Sequence, residues 1–279
     1  MEGKAVTVGA DEWVGRTGDS WAAEWRRTDR SFSVLTERLL QRSRDFAFGS
    51  ALDIGCGAGE LSVAIGRGRP QCRVIGVDIS PQLVAVARER AANHPNVSFE
   101  VADAALWRSP ADFVPDLLVS RHGVMFFADP VVAFAHLREI SPPGARLLFS
   151  CFRAWEDNPA FADVAALLPA PPPPPSDAPG PFAFSDRGRV KNVLSRAGWS
   201  EIAFEPLDFA MIVGAGEDPV GDTEAYFARI GPAARALREM TEDQRQVFRQ
   251  RLRELAQSNL RDGLVSLRAA AWIVSARRT

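Results

Sequence analysis

The 279-residue chain has few of the residues that build covalent or metal-stabilised frameworks. Its three cysteines, Cys56, Cys72 and Cys151, are widely spaced and odd in number. This excludes a disulfide framework or a zinc site as the organising feature and indicates reduced thiols. The chain also lacks a Ser-His-Asp set, a His-Glu-x-x-His helix and a Cys-x-x-Cys pair, so none of these catalytic patterns defines its chemistry.

An excess of positive charge and a long apolar run are missing as well. The formal net charge is -2 and the sequence pI is near 6.0, which argues against a nucleic-acid-binding surface. The Arg-rich stretch 245–261 is diluted by acidic residues and is interpreted as a solvated helix face. No apolar run is long enough to span a bilayer and the first residues do not resemble a signal peptide. With the reduced thiols, this favours a cytoplasmic protein. We expect a monomer or a homodimer.

Short β-rich runs alternate with helical stretches between residues 50 and 152. Such alternation predicts an α/β fold with right-handed crossovers and a mostly parallel sheet. Strands are predicted at 50–55, 72–78, 97–101, 115–121 and 145–152, and helices at about 59–67, 80–93 and 130–140.

The second half of the chain departs from this rhythm. Residues 169–181 are rich in proline and form neither helix nor central strand, and we expect them to frame the opening of a ligand site. A helix is predicted at 186–197, closed by Gly198, and two strands at 199–213 and 264–276. Two helices are expected between those strands, as an insertion at about 216–262.

Three short motifs follow one another between residues 51 and 103. The first is the glycine run Asp53-Ile-Gly-Cys-Gly-Ala-Gly59, which joins a strand to a helix. Two later strands end in carboxylates, Asp78 and Asp103. Because ligands bind at the carboxyl ends of the strands in an open α/β sheet, we expect all three motifs to meet in one crevice. A strand-end carboxylate supports no core, so we expect Asp78 to matter for ligand binding and not for stability.

The glycine spacing separates two candidate cofactors. The dinucleotide fingerprint Gly-x-Gly-x-x-Gly would place its third glycine where Glu60 stands, and an acidic side chain there repels a pyrophosphate. The run headed by Asp53 resembles the first motif of the class I S-adenosylmethionine (SAM) methyltransferases, and Asp78 and Ala102-Asp103-Ala104 match that family's second and third cofactor motifs. The resemblance implies a Rossmann-like, seven-stranded, mostly parallel sheet with an antiparallel last strand and helices on both faces.

The resemblance also implies roles for single residues. The amino-acid tail of SAM would be held by the glycine run, the ribose by Asp78, the adenine by Ile79, Asp103 and Ala104, and the methionyl part by the end of the fourth strand. The implied cofactor-binding residues are Trp21, Asp53, Gly55, Cys56, Gly57, Gly59, Asp78, Ile79, Asp103, Ala104, Ser120 and Arg121.

The amino-terminal segment resembles that of small-molecule methyltransferases related to the ubiquinone and menaquinone biosynthesis enzymes. It contains Trp13, Trp21, Trp25 and Asp29. By this resemblance residues 1–48 would form a helical lid over the cofactor, and residues 49–279 the SAM-binding domain with its helical insertion. An alternative for the tryptophans is a helix that simply packs on the body of the protein.

The expected reaction is transfer of a methyl group to a small or medium-sized, partly apolar metabolite. Such an in-line displacement depends on alignment and a dry site, so the acceptor atom, O, N or C, stays open. His122, at the end of the fourth strand, is the candidate catalytic base, although we expect it only to shape the pocket. Arg121 binds an acidic acceptor group or, as we expect, pairs with a nearby carboxylate. Residues placed in the acceptor pocket are Cys151, Arg153 and Trp155.

Two other functions remain open at this point. A SAM-binding protein without catalytic activity would retain the cofactor residues. An NAD(P)-dependent oxidoreductase would use the same crevice, although the glycine spacing and the Asp103 motif oppose it.

Overall fold

A mixed β-sheet forms the centre of the computed structural model, which describes residues 10–170 and 178–279. The five strands predicted between residues 50 and 152 are present, with bounds that differ from the prediction by at most two residues. They are β1 (Ser50–Ile54), β2 (Arg73–Asp78), β3 (Val97–Val101), β4 (Leu117–Arg121) and β5 (Arg146–Phe152).

Three later strands complete the sheet: β6 (Ser200–Gly214), the two-residue β7 (Leu260–Arg261) and β8 (Leu264–Arg277). The order is β3-β2-β1-β4-β5-β8-β6, with β7 paired to β8 outside this path. Strands β1 to β5 pair in parallel, whereas β8 is antiparallel to both β5 and β6. The predicted mostly parallel sheet with an antiparallel last strand is therefore confirmed, with the short β7 as an addition.

Helices precede the sheet and alternate with its strands. The amino-terminal helices are α1 (Ala10–Val14), α2 (Arg16–Ala23), α3 (Trp25–Ser31) and α4 (Ser33–Ser43). Those within the alternating part are α5 (Glu60–Gly68), α6 (Pro81–Arg90), α7 (Pro130–Glu139), α8 (Pro159–Ala166) and α9 (Arg187–Arg196). Helices cover both sides of the sheet, so the central strands β1 and β4 are almost completely buried.

The helix ends follow the chemistry of their sequence. Ser80 caps α6 by accepting a hydrogen bond from the amide of Leu83, and Pro81 occupies the first turn. Gly198, at φ 85°, follows α9 in the left-handed conformation that closes helices. No helix among the described residues is long and apolar enough to cross a bilayer.

The insertion between β6 and β8 contains three helices, α10 (Pro219–Arg229), α11 (Pro232–Glu239) and α12 (Glu242–Ser258). The prediction of two helices was therefore wrong. Gly231, at φ 83°, ends α10 and lets the chain turn into α11. A capping box, in which Thr241 and Gln244 bond each other's backbone amides, then starts α12.

Candidate functional site

The carboxyl ends of the parallel strands open into a cavity of about 440 Å³. Because the sheet order is β3-β2-β1-β4-β5, residues after β3, β2 and β1 lie towards one end, and residues after β5 lie towards the other. The glycine-loop end is lined by Asp53, Gly55, Cys56, Gly57, Asp78, Ile79, Asp103 and Ala104. The aromatic end is lined by Phe32, Phe152, Phe161, Met211, Tyr226 and Phe227. Arg121 and His122, at the end of β4, lie between them.

The glycine loop is shaped by three left-handed residues, Gly55, Gly57 and Gly59, at φ 63°, 54° and 80°. A Cβ atom on Gly55 would lie 2.8 Å from the Cα atom of Gly123, so the close approach of the two loops requires glycine. A Cβ atom on Gly57 would meet nothing within 4 Å and would project into open space. Gly57 therefore presents bare backbone to the cavity.

Gly59 lies outside the cavity lining, although the motif suggested a binding role. It is the residue before α5, and a Cβ atom there would lie 2.7 Å from Cζ of Phe99. Gly59 therefore lets α5 pack against β3 and holds the loop from behind.

Asp53 is buried at the end of β1 and accepts a hydrogen bond of 2.6 Å from the Ser62 hydroxyl. Burial raises the pKa of this carboxyl to about 6, against the opposing effects of the Ser62 hydrogen bond and the Arg121 charge. The pKa of Asp53 therefore lies close enough to neutrality that a cationic group bound beside it would change its protonation state.

Asp78 has a structural role as well as a place in the cavity. Its carboxylate accepts hydrogen bonds from the amides of Gly57 at 2.8 Å and Ser80 at 2.9 Å. Burial raises its pKa, and these backbone hydrogen bonds oppose the rise. The expectation that Asp78 would not affect stability needs correction, because its side chain joins the glycine loop to the start of α6.

Ile79, Asp103 and Ala104 line the same end of the cavity. Asp103 is exposed at the rim, where its carboxylate accepts a hydrogen bond of 2.9 Å from the amide of Ala105. Cys56 is buried, and burial raises the pKa of its thiol well above the ordinary value. A thiol in that state is not a nucleophile.

Ser120 lies behind the cavity wall and does not line it. Its hydroxyl donates to the carbonyl of Ile54 at 2.7 Å and accepts from the amide of Gly123 at 3.0 Å. Ser120 therefore ties the end of β4 to the glycine loop. Of the two residues predicted beneath the methionyl part, Arg121 lines the cavity and Ser120 does not.

Arg121 pairs with carboxylates, as expected from the sequence. It forms ion pairs with Asp29 at 3.1 Å and with Glu60, and donates to the Thr36 hydroxyl at 2.8 Å. These partners raise the pKa of Arg121 despite its burial. The guanidinium thus joins the amino-terminal helices to α5 and carries no unpaired charge into the cavity.

His122 has an unusual backbone and an unusual ring environment. Its φ of 64° lies in the left-handed region, which residues other than glycine seldom adopt. The ring stacks on Phe152 with centroids 4.1 Å apart, and Nδ1 lies 3.2 Å from the carbonyl oxygen of Ser150. The Ser150 hydroxyl lies farther away, 3.4 Å from Nδ1. With Nδ1 donating to the nearer carbonyl, which only accepts, Nε2 carries the lone pair. Nε2 is buried and has no partner among the described residues.

The electrostatic environment keeps His122 uncharged. Burial lowers the pKa of its imidazole to about 3, with a further contribution from the neighbouring Arg121 charge. The ring is therefore a neutral hydrogen-bond acceptor across the physiological range.

The amino-terminal helices form one wall of the cavity. Trp13 and Trp21 line it and pack edge to face with ring centroids 5.4 Å apart. Trp13 also contacts Phe126 at 5.2 Å. Trp25 lies outside the lining, with the guanidinium of Arg90 4.0 Å from its ring centre.

The residues predicted to line the acceptor pocket near the end of β5 are not the ones that do so. Cys151, Arg153 and Trp155 are absent from the cavity wall, whereas Phe152 is part of it. Neighbouring residues of a strand point to opposite faces, so Phe152 faces the cavity when Cys151 faces Phe184, whose carbonyl lies 3.5 Å from the thiol sulfur. Arg153 instead pairs with Asp157 and Asp208.

Other lining residues had no signal in the sequence. Phe32, Phe161 and Met211 come from segments with no motif, and only the fold brings them together. Pro179 and Pro181, from the predicted proline-rich frame, do line the cavity. Residues 171–177 of that frame lie outside the described residues.

Comparisons with known proteins agree with this geometry. Residues 51–144 match the family model described as "Methyltransferase domain". A malonyl-[acyl-carrier protein] O-methyltransferase of Halalkalibacterium halodurans is 34% identical over 103 residues, which are 36% of this chain and 38% of the relative. An aklanonic acid methyltransferase of Streptomyces sp. strain C5 is 34% identical over 128 residues, 44% of this chain and 58% of the relative.

The chain therefore spans less than two thirds of either relative. Among solved structures, phosphoethanolamine N-methyltransferase 2 of Haemonchus contortus in complex with SAM superposes with a TM-score of 0.57 at 14% identity. The superposition covers 98% of this chain and 61% of that one. At this identity the likeness concerns the fold.

Proposed function

We propose that this chain, whose residues 51–144 match the methyltransferase domain model, transfers a methyl group from SAM to a small or medium-sized, partly apolar metabolite. The observation that carries the proposal is the meeting of Asp53, Asp78 and Asp103 around the bare backbone of Gly57 in one cavity.

The residues of the glycine-loop end suit SAM better than a dinucleotide. The charged groups there are carboxylates, which fit an ammonium group and ribose hydroxyls and repel a pyrophosphate. Asp53, Gly55, Cys56 and Gly57 would hold the amino-acid tail, supported from behind by Gly59 and Ser120. Asp78 would accept from the ribose, with Ile79, Asp103 and Ala104 at the adenine.

The chain's own residues would supply alignment and a dry site. SAM, when bound, brings an electrophilic methyl group on a sulfonium. The amino-terminal helices contribute Trp13 and Trp21 to the cavity wall, and the insertion contributes Tyr226 and Phe227. We propose that the amino-terminal helices act as a lid, because excluding water keeps SAM and the acceptor aligned and removes a competing nucleophile.

We propose that His122 is the catalytic residue that takes the acceptor's proton. His122 lines the cavity, and its buried Nε2 atom has no partner among the described residues, which supports the base over the simple shape element that the sequence favoured. An imidazole with a pKa of about 3 does not ionise the acceptor in advance. It accepts the proton as the new bond to the methyl group forms and the proton becomes strongly acidic.

Replacement of His122 by phenylalanine tests this role, because a flat ring remains and the proton acceptor is lost. We expect turnover to fall by about 10²–10⁴-fold while the affinity for S-adenosylhomocysteine stays unchanged. A variant that retains most of its turnover would assign His122 to pocket shape alone.

The function itself is tested with SAM labelled in its methyl group. The full chain is incubated with pooled metabolites, and we expect label in small organic-extractable products together with S-adenosylhomocysteine. Binding of S-adenosylhomocysteine without transfer to any pool would instead indicate a non-catalytic SAM-binding protein. Preferential binding of NADH would indicate an oxidoreductase.

We infer a cytoplasmic location from the thiols. Cys56, Cys72 and Cys151 are free and buried, as in proteins of reducing compartments. The proposed partner is the small-molecule acceptor, with no nucleic acid.

A further inference from the structure

Several residues that line the cavity carry buried polar atoms without partners. Among the described residues, such atoms include Nε1 of Trp13, Nε2 of His122 and the hydroxyl of Tyr226, and all three residues line this cavity. An unpaired buried donor or acceptor costs about 1–3 kcal/mol, so native structures normally provide a partner. A bound molecule that hydrogen-bonds these atoms would remove the cost.

Two of these atoms belong to the middle and the aromatic end of the cavity. His122 packs between Phe152, at 4.1 Å, and Phe32, whose ring centre is 5.5 Å away. Tyr226 is 1% exposed, and its ring packs on Phe227 at 5.1 Å. Burial raises the pKa of Tyr226 to about 12, so its hydroxyl keeps its proton and can donate. One neutral acceptor and one neutral donor therefore belong to residues that line an apolar space, and Ser31 and Arg30 lie near the Tyr226 hydroxyl.

The rest of this region offers no unpaired charge. Arg121 is the one cation among the described lining residues, and Asp29 and Glu60 neutralise it. Asp29 is in turn neutralised by Arg90, at 2.8 Å, as well as by Arg121. A carboxylate or phosphate entering the aromatic end would lose its hydration without gaining a free cation, which is strongly unfavourable.

The apolar walls come from four separate parts of the chain. Phe32 precedes α4, Phe152 ends β5, Phe161 lies in α8 and Phe227 in α10. Phe161 packs edge to face on Phe152 with centroids 4.8 Å apart, and the ring centre of Phe32 lies 6.2 Å from that of Phe152, so these three side chains form one aromatic surface. Flat, apolar ring systems are the molecules that such a surface binds best.

We infer that the aromatic end selects an uncharged aromatic or polycyclic acceptor that carries a phenolic or enolic hydroxyl and a second hydrogen-bonding oxygen. This inference rests on the proposed function. The reactive hydroxyl donates to Nε2 of His122, and the second oxygen accepts from the hydroxyl of Tyr226. In the reaction the acceptor oxygen bonds to the methyl carbon, the carbon–sulfur bond breaks with its electron pair left on sulfur, and the hydroxyl proton passes to Nε2. The products are a methyl ether, S-adenosylhomocysteine and a proton.

The test uses probes that share one ring system and differ in charge. The full chain is first saturated with S-adenosylhomocysteine, and calorimetry then measures binding of 2-naphthol, 2-naphthoate, 2-naphthylmethylamine and naphthalene. We expect 2-naphthol to bind at least about tenfold more tightly than the anionic and the cationic probe. It should also bind more tightly than naphthalene, since the hydroxyl gains a hydrogen bond worth about two- to tenfold.

Two variants separate hydrogen bonding from shape. His122→Phe should remove the preference for 2-naphthol over naphthalene and leave the affinity for naphthalene unchanged. Tyr226→Phe should lower the affinity for 2,7-dihydroxynaphthalene by about three- to tenfold and leave the affinity for naphthalene unchanged. Since each replacement keeps an aromatic ring, a merely structural role would change naphthalene binding as much as that of the hydroxylated probes.

The outcomes also distinguish this inference from the proposed function. Failure to bind S-adenosylhomocysteine would overturn the proposed function. If S-adenosylhomocysteine binds, the inference alone is overturned by equal or tighter binding of 2-naphthoate or 2-naphthylmethylamine, or by no binding of 2-naphthol. Hydroxyl preference that survives both replacements would overturn the roles of His122 and Tyr226.

Discussion

The two ends of the cavity are stabilised in different ways. At the glycine-loop end, Asp78 is held by backbone amides and the loop is pinned through Ser120, so the geometry follows from the sheet. At the aromatic end, side chains come from the amino-terminal helices, α8 and the insertion, and contacts between these elements hold them. The first end is thus built by the backbone of one region, and the second by the tertiary packing of several.

An ion-pair cluster joins the elements of the aromatic end. Asp222 of α10 pairs with Arg27 and Arg30 of α3, each at 2.7 Å. Glu24, whose side chain is 2% exposed, pairs with Arg27 and with Arg229 of α10. Asp222 and Tyr226 are four residues apart in α10, so the cluster positions the turn that carries the Tyr226 ring.

The largest expected effect is at Asp78. Asp78→Ala removes the hydrogen bonds to Gly57 and Ser80 and the proposed ribose contact. We expect cofactor affinity to fall by about 2–4 kcal/mol, and stability without ligand to fall by about 1–3 kcal/mol. Calorimetry with S-adenosylhomocysteine and a thermal melt measure the two effects. Full stability together with lost affinity would show that the backbone contacts contribute nothing.

Breaking the ion-pair cluster should destabilise the protein and weaken ligand binding at the aromatic end of the cavity. Asp222→Asn leaves Arg27 and Arg30 without their shared charge, and we expect a loss of about 2 kcal/mol in stability, since the pair is only partly buried. Binding of 2-naphthol should weaken while the affinity for S-adenosylhomocysteine stays constant. The control is Asp45→Asn, which breaks a surface pair with Arg42 and should change stability by less than about 1 kcal/mol. Equal effects of Asp222→Asn on both ligands would mean that the two ends are not separable.

Gly57 gives a smaller effect at the glycine-loop end. Gly57→Ala forces a side chain into the left-handed region, at a cost of about 1–2 kcal/mol, and projects a methyl group into the ligand's space. We expect Gly57→Ala to bind S-adenosylhomocysteine more weakly, as measured by isothermal titration calorimetry on the folded protein. Gly68→Ala is the matched control, because its Cβ atom meets nothing within 4 Å and its φ is not positive. Unchanged affinity in Gly57→Ala would place the ligand away from the loop.

The smallest effect is the pH dependence from Asp53. Its folded-state pKa of about 6 lies above the ordinary value of 3.8, so this group favours folding at low pH and its contribution is lost as pH rises through about 6. The affinity for S-adenosylhomocysteine should change in the opposite direction, rising about three- to tenfold as Asp53 ionises beside the ligand's ammonium group. Asp53→Asn should remove this dependence. A variant with the same pH profile would assign the titration to another group.

The difference between the two ends of the cavity also explains which parts of the site could be predicted from the sequence. The strands from Ser50 to Phe152 and the residues around Gly57 follow from contiguous patterns, because one short segment contains both the turn and the ligand contacts. His122 could be noticed from its position after β4, but its partnerless Nε2 depends on Ser150 and Phe152 in a neighbouring strand. Tyr226 lies more than 100 residues away in the chain, and no spacing connects it with His122. Cys151 was placed in the cavity wall, but the next residue, Phe152, occupies it. A shift of one residue along a strand therefore decides which side chain reaches the cavity.

The ligand bound at the glycine-loop end decides which reaction the cavity can support. A single calorimetric comparison of S-adenosylhomocysteine with NADH on the unmodified full chain tests it directly. We predict binding of S-adenosylhomocysteine at micromolar concentration or tighter, about 8 kcal/mol, and no measurable binding of NADH. Preferential binding of NADH, or no binding of S-adenosylhomocysteine, would contradict the account.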